Sequence, residues 1–193
     1  MLRLGFCITG SFCSMDDMLY VLEKVNKEYD LEIFISPNVN RINSRFYTKE
    51  DLINKIKSIT SASIHTTIEE AEIYGPKEKL DLVLIYPCTS NTLAKLCHGI
   101  NDNVVTMLVK SSLRNNVSIV LGVYTNDALG KSGKNIMTLL NTKNYYFVPL
   151  FQDDYIRKPL SMISDKDKVL DTLEFALKKE QYQPVILGYK SIE

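Results

Sequence analysis

Two short polar runs carry the residue types that hold an anion. One is Cys88-Thr89-Ser90-Asn91-Thr92, which follows Pro87 and precedes Leu93, Leu96, Cys97 and Ile100, four residues that share one helical face. The other is Thr9-Gly10-Ser11, where a glycine lets backbone amides approach a ligand and a serine hydroxyl adds a donor. Amides at a helix N-terminus lack intrahelical acceptors and favour a phosphate, so a phosphate-bearing cofactor is the expected ligand. Asp16 and Asp17 lie just beyond the second run, where carboxylates compete with an anion for the helix end.

A third run, Thr125-Asn126-Asp127-Ala128-Leu129-Gly130, follows an apolar strand-like segment. Asn126 and Asp127 could hydrogen-bond a heterocycle or a substrate, or could simply reverse the chain in an Asx turn. Cys88 sits near a helix start that would favour its thiolate, yet a small core residue is the plainer role. His65 and His98 are the only histidines, and neither has a sequence-evident partner for catalysis. Gly5-x4-Gly10-Ser11 lacks the lysine of a nucleotide-binding P-loop, and Gly130-Lys-Ser-Gly-Lys lacks its first glycine at Thr125. No G-x-G-x-x-G dinucleotide fingerprint is present either.

The elements that must position these runs alternate along the chain. Leu2 to Ile8, Leu31 to Ile35, Leu82 to Tyr86, Ser118 to Val123 and Tyr145 to Val148 read as buried strands, with Pro87 ending the third and Ser63 to Thr66 a possible short one. Between them lie helical patterns. Ser14 and Asp17 form a capping pattern ahead of Met15, Met18, Leu19, Leu22 and Val25. Thr48 and Asp51 do the same ahead of Leu52, Ile53, Ile56 and Ile59. Further helices are expected over Ile68 to Ile73, Val104 to Leu113, around Ile136 to Leu140, and through Val169, Leu170, Leu173 and Ala176. Asn38 to Tyr47 and Tyr124 to Lys134 read as loops. Such alternation gives an α/β fold of three layers, a mainly parallel sheet with helices on both faces, flavodoxin-like or Rossmann-like. One domain is expected over residues 1–180, and residues 181–193 form a tail whose Pro184 to Leu187 could pack on a neighbour.

With 23 basic against 23 acidic residues in a chain of 193, nothing in the charge balance points to nucleic acid or a membrane surface. The four cysteines show neither a C-x-x-C pair nor zinc-ligand spacing, so no metal site is expected and free thiols in a reducing cytoplasm fit. The first residues lack the pattern of a signal peptide, and no apolar run reaches membrane-spanning length. A cytoplasmic protein is the expectation.

The motifs also add up to a resemblance. Thr9-Gly10-Ser11, Ser36-Pro37 and Pro87-Cys-Thr-Ser-Asn-Thr-Leu-Ala-Lys95 with Gly99-Ile-Asn-Asp102 resemble the flavoprotein superfamily of FMN-binding decarboxylases that act on peptidyl or pantothenoyl cysteine. Asn43-Ser-Arg45-Phe46, Ala71 to Lys77, Ser112 to Asn115, the Thr125 to Gly130 loop, Thr142 to Phe147 and Gln152-Asp-Asp narrow this to the family of dipicolinate synthase B subunits. The resemblance implies a flavodoxin-like fold and FMN held by Gly10, Ser11, Ser36, Thr89, Ser90, Asn91 and Thr92. It also implies an NAD(P)-binding partner, the A subunit of dipicolinate synthase, together with oxidation of dihydrodipicolinate in the mother cell of a sporulating bacterium. A homo-oligomer of trimers or their multiples is implied as well. A small dicarboxylate substrate would suit Arg45, with Asn126 and Asp127 beside it and Arg114 as a further bidentate partner. The decarboxylases' catalytic histidine has no counterpart here, and their P-A-M-N substrate motif is replaced by Tyr124-Thr-Asn126-Asp127. The other roles open to the chain are a non-catalytic module that stabilises the A subunit and an independent FMN-dependent decarboxylase.

Overall fold

The computed structural model describes residues 1–188. Its strands are β1 (Arg3–Ile8), β2 (Asp30–Ile35), β3 (Ile64–His65), β4 (Leu82–Cys88), β5 (Ser118–Thr125), β6 (Tyr145–Phe147), β7 (Leu150–Phe151) and β8 (Met162–Ser164). Helices α1 (Met15–Val25), α2 (Pro37–Arg41), α3 (Lys49–Ile59), α4 (Ile68–Glu72), α5 (Ser90–Cys97), α6 (Val104–Arg114), α7 (Gly133–Leu140) and α8 (Val169–Leu177) connect or flank them. Strands β3, β2, β1, β4, β5 and β6 are parallel in that spatial order. The expected three-layer, flavodoxin-like α/β architecture is therefore what the chain adopts.

Alternation along each strand builds the two helical layers. Leu4, Phe6 and Ile8 of β1 and Leu82, Leu84 and Tyr86 of β4 pack with α1, α3 and α8. Cys7, Val83, Ile85 and Cys88 point the other way, toward α5, α6 and α7. Both faces of β4 and β5 are buried, which is why they read as unbroken apolar runs. The chain leaves β1 toward β2 on one side and β4 toward β5 on the other. The crevice at this reversal, outside the carboxyl ends of β1 and β4, is where ligands bind in open α/β sheets.

Several local expectations are corrected. Pro87 does not end β4: the strand runs on to Cys88 through a cis Tyr86–Pro87 bond, with a register shift against β5 between Ile85 and Cys88. Helix α5 stops at Cys97, before Gly99 at φ +67°, so Ile100 leaves the apolar face and is 47% exposed. Within the expected loop 38–47 lies the short α2, which starts at Pro37 and buries Val39. Ser14 makes no capping hydrogen bond to α1: its hydroxyl meets that of Ser11 at 3.1 Å, and the Asp17 side chain, the other half of the expected capping pattern, is engaged by Tyr124 and Lys166. Beyond β6, antiparallel β7 and β8 extend the sheet, with β8 pairing the end of β5.

Within the expected tail Ile186 bridges Leu150 of the same chain, and the amide of Leu187 donates to the Leu150 carbonyl at 2.8 Å. Gln181 clamps Phe147 by accepting from its N–H and donating to its C=O, both at 2.8 Å. The last residues of the expected tail, 189–193, lie outside the described residues.

Candidate cofactor cleft

The carboxyl ends of β1 and β4 are tied together by one side chain. Thr9 is buried, its hydroxyl donates to the Pro87 carbonyl at 2.7 Å, and the same oxygen accepts from the Thr89 amide at 3.1 Å. This fixes the entry to α5. Thr89 then caps that helix, its hydroxyl accepting from the Thr92 amide at 3.3 Å. The amides of Ser90 and Asn91 stand in the first turn, where a helix supplies no acceptor.

Three adjoining cavities run along this edge. The first, of about 440 Å³, is lined by Gly10, Ser11, Asn38, Thr89, Ser90, Asn91, Tyr124, Thr125, Asn126 and Asp127. A second of about 230 Å³ extends it past Ser36, Thr92, Lys95, Asp102 and Asn103. The third, of about 240 Å³, opens on the opposite side among Ser11, Cys13, Ser14, Asp17, Tyr124, Asn126, Asp153 and Lys158. All seven residues expected at a flavin, and both Asn126 and Asp127, thus line one continuous cleft. Tyr124, Asp17 and Asp153, which the sequence marked without a binding role, join them, as does Asn38, which no sequence signal singles out.

The arginines stand elsewhere. Arg45 lies on the exposed loop between α2 and α3, its guanidinium 4.8 Å from the Phe46 ring centroid, and Arg114 ends α6 in solvent; neither lines the cleft. The histidines are also remote. His98 is exposed after α5, and His65 stacks on Phe34 and meets Glu32 at 2.8 Å. Cys88 is wholly buried and burial pushes its thiol pKa far up, so it belongs to the core and not to nucleophilic chemistry. A larger cavity, about 550 Å³, lies at the amino ends of β5 and β6, away from every candidate residue. Its Lys179 is engaged by the Asn116 carbonyl and by Ser118 Oγ.

The cleft passes a direct test for a bound group. Ser36 Oγ is buried at the end of β2 and, among the described residues, has no hydrogen-bond partner. A hydroxyl in that state costs about 1–3 kcal/mol, which a ligand acceptor would recover. At Gly10 a Cβ would meet only Asn38 and Phe12, at 3.5 and 3.6 Å, so the loop leaves room above the sheet. Lys95 is held by Asp102, with Nζ 2.7 Å from Oδ2, and this pairing lowers the Asp102 carboxyl below its usual range. Among the described residues no cluster of side chains could hold a metal, and no helix is long and apolar enough to cross a membrane.

Known proteins resemble the chain in sequence and in fold. Over 186 residues the chain is 39% identical to the dipicolinate synthase B subunit of Bacillus subtilis (strain 168), an alignment that takes in 96% of this chain and 93% of that protein. The crystal structure of the dipicolinate synthase B subunit from Bacillus halodurans C superposes with a TM-score of 0.89 at 37% identity, covering 99% of this chain and 97% of that one. The FMN-dependent cysteine decarboxylase SpaF shares the fold alone, with a TM-score of 0.68 at 20% identity over 93% of this chain and 97% of that one. The flavoprotein family model matches residues 1–148, and the chain belongs to the flavoprotein family.

Proposed function

We propose that this chain is the B subunit of a dipicolinate synthase. It binds FMN in the cleft and, with the NAD(P)-binding A subunit, oxidises dihydrodipicolinate to dipicolinate in the mother cell of a sporulating bacterium. The observation that carries the reading is the partnerless Ser36 hydroxyl, buried on the wall of a cavity that also holds Thr92 and the N-terminal turn of α5. A phosphate ester answers such a set of donors. The 39% identity to the Bacillus subtilis protein, across nearly the whole of both chains, favours the same substrate.

In this reading Ser36, Thr89, Ser90, Asn91 and Thr92 hold the phosphate and ribityl chain, and Gly10 and Ser11 line the ring side. Asn126 and Asp127 face the substrate across the cleft. A bound flavin supplies a two-electron acceptor, and the gain of aromaticity in the product ring supplies driving force. The chain's own task is to orient the dicarboxylate ring and to exclude water from it. Assembly into trimers, or multiples of trimers, belongs to the same proposal.

The test is a visible spectrum of the purified chain after incubation with excess FMN and desalting, followed by assay of dihydrodipicolinate oxidation with and without the A subunit. Flavin bands that survive desalting, and oxidation that demands both polypeptides, are expected. Ser11→Trp and Asn91→Trp should lose the flavin while far-ultraviolet circular dichroism stays unchanged. A chain that never retains FMN sinks the cofactor assignment and leaves a module that supports the A subunit. Retained flavin with decarboxylation of a cysteine peptide, and no need for that partner, sinks the synthase assignment.

A further inference from the structure

Beneath the cleft lies a hydrogen-bonded chain whose direction can be read from its donors. Tyr86 is fully buried, and its hydroxyl meets only that of Tyr124. Tyr124 is in turn within 3.1 Å of Asp17 Oδ2 and 3.3 Å of the Ser164 carbonyl, two groups that can only accept while Asp17 is ionised. Each tyrosine has one proton. Tyr86 therefore donates to Tyr124, and Tyr124 donates onward toward Asp17. Burial raises the pKa of both hydroxyls, so they stay protonated and serve as fixed donors. The second oxygen of Asp17, Oδ1, accepts from Lys166 Nζ at 2.7 Å. Asp17 is thus held by three elements, α1, β5 and the turn after β8, while it lines the cleft beside Ser11 and Asn126.

Among the described residues, each lysine around it is paired: Lys166 with Asp17, Lys158 with Asp153 at 3.2 Å, and Lys95 with Asp102. Facing Asp17 across its cavity are Asp153, Lys158, Cys13 and Tyr124. Asp127 lines the neighbouring cavity and is bonded by the Thr125 hydroxyl. A dicarboxylate entering this cleft meets carboxylates and, among the described residues that line it, no unpaired lysine, so proton uptake by one of them relieves the repulsion. Asp153 faces the same cavity and accepts from Lys158 Nζ at 3.2 Å, whereas Asp17 is the carboxylate that the tyrosine pair orients.

Resting on the synthase reading above, we propose that Asp17 is the carboxylate that takes the proton from the ring being oxidised, with Tyr124 and Tyr86 as its positioning residues. In that step a ring C–H is lost with its electron pair, as hydride, for which a bound oxidised flavin would supply the two-electron acceptor. The proton on the adjacent ring atom passes to Asp17, the ring becomes aromatic, and the carboxylic acid later returns its proton to water through the cleft. Hydride and proton together account for the two hydrogens and two electrons lost.

The test uses the full-length chain without flavin and the reaction product itself, pyridine-2,6-dicarboxylate, titrated calorimetrically in two buffers of different ionisation enthalpy. Uptake of roughly one proton per bound dicarboxylate is expected for the wild type and roughly none for Asp17→Asn, by proton linkage. Asp153→Asn should keep the uptake, so the assignment stays open to refutation even if Asp17→Asn fails to fold. Binding without uptake, uptake that survives Asp17→Asn, or uptake that vanishes in Asp153→Asn overturns the role of Asp17 and leaves the synthase reading intact. No binding of the dicarboxylate at millimolar concentration, with flavin still retained, overturns the substrate and this inference with it.

Discussion

Replacing Gly122 by alanine should unseat Tyr86 and with it the floor of the cleft. A Cβ built at Gly122 lies 2.1 Å from Tyr86 Cδ2, 2.6 Å from Cε2 and 3.1 Å from Cγ. Contacts that short cannot be absorbed, because Tyr86 is completely buried and Gly122 sits inside β5 with both faces covered. Overpacking of this kind costs about 1–3 kcal/mol. Displacing the ring also breaks the Tyr86–Tyr124 hydrogen bond, and a buried hydroxyl left without a partner costs about 1–3 kcal/mol more. The sum, roughly 2–6 kcal/mol, opposes the ~0.5–1 kcal/mol that alanine ordinarily gains over glycine within a strand, so the sign of the effect is itself diagnostic. Equilibrium urea unfolding reads the net loss, roughly 1–5.5 kcal/mol, and at about 2–4 °C per kcal/mol for a chain of this size the melting temperature should fall by roughly 2–22 °C. The double variant Gly122→Ala, Tyr86→Leu should recover part of the loss, since the shorter side chain vacates the clashing volume. A Gly122→Ala protein as stable as the wild type would show that the ring does not rest on the β5 backbone and would refute the argument.

Other substitutions separate the parts of the site. Ser36→Ala should leave the flavin-free protein as stable as the wild type or more stable by up to about 1–3 kcal/mol, because a partnerless hydroxyl is removed, while weakening FMN retention; destabilisation in urea would mean the hydroxyl has an acceptor. Thr9→Val deletes the link between the Pro87 carbonyl and the Thr89 amide, so a loss of about 2–4 kcal/mol and weaker FMN retention are expected in unfolding and desalting assays; loss of stability alone would separate the tie from the cofactor site. The Lys95 hydrogen bond depresses the folded-state pKa of Asp102, so its stabilisation is complete above the ordinary carboxylate range and disappears as pH falls through the folded value. Urea midpoints of wild type and Asp102→Asn should therefore differ at neutral pH and converge below about pH 4, and a gap that persists in acid would remove the ion pair as its cause.

Local signals in the chain were enough for the scaffold and for the set of polar runs that meet in the cleft. Unbroken apolar runs at 82–86 and 118–123 demand burial on both faces, and alternation with amphipathic helices leaves few arrangements besides a parallel three-layer sheet. Polar residues placed directly after such strands fall at one edge by construction, which is why Thr9 to Ser11, Ser36, Thr89 to Thr92, Asn126 and Asp127 meet in one cleft. Boundaries were less legible. Pro87 has the chemistry of a strand end, yet β5 pairs Cys88 with Val123 beyond a register shift and the Thr9 hydroxyl holds the Pro87 carbonyl. Strands β7 and β8 are two and three residues long and gain their pairing from the end of β5, so no local periodicity announces them.

What the sequence by itself determined was the order of elements, and with it which polar runs share an edge of the sheet, because strand and helix periods are properties of neighbouring residues. Which distant side chains then face one another was decided only by tertiary packing. Asp17, read locally as a helix cap, is captured instead by Tyr124 and Lys166 from 107 and 149 residues away. The arginines that suited a dicarboxylate on paper fold away from the cleft, and Ser36 is brought to its wall without a partner. The physical reason is that hydrogen bonds and charge pairs between distant residues depend on how helices dock on the sheet, which the spacing of neighbours does not encode.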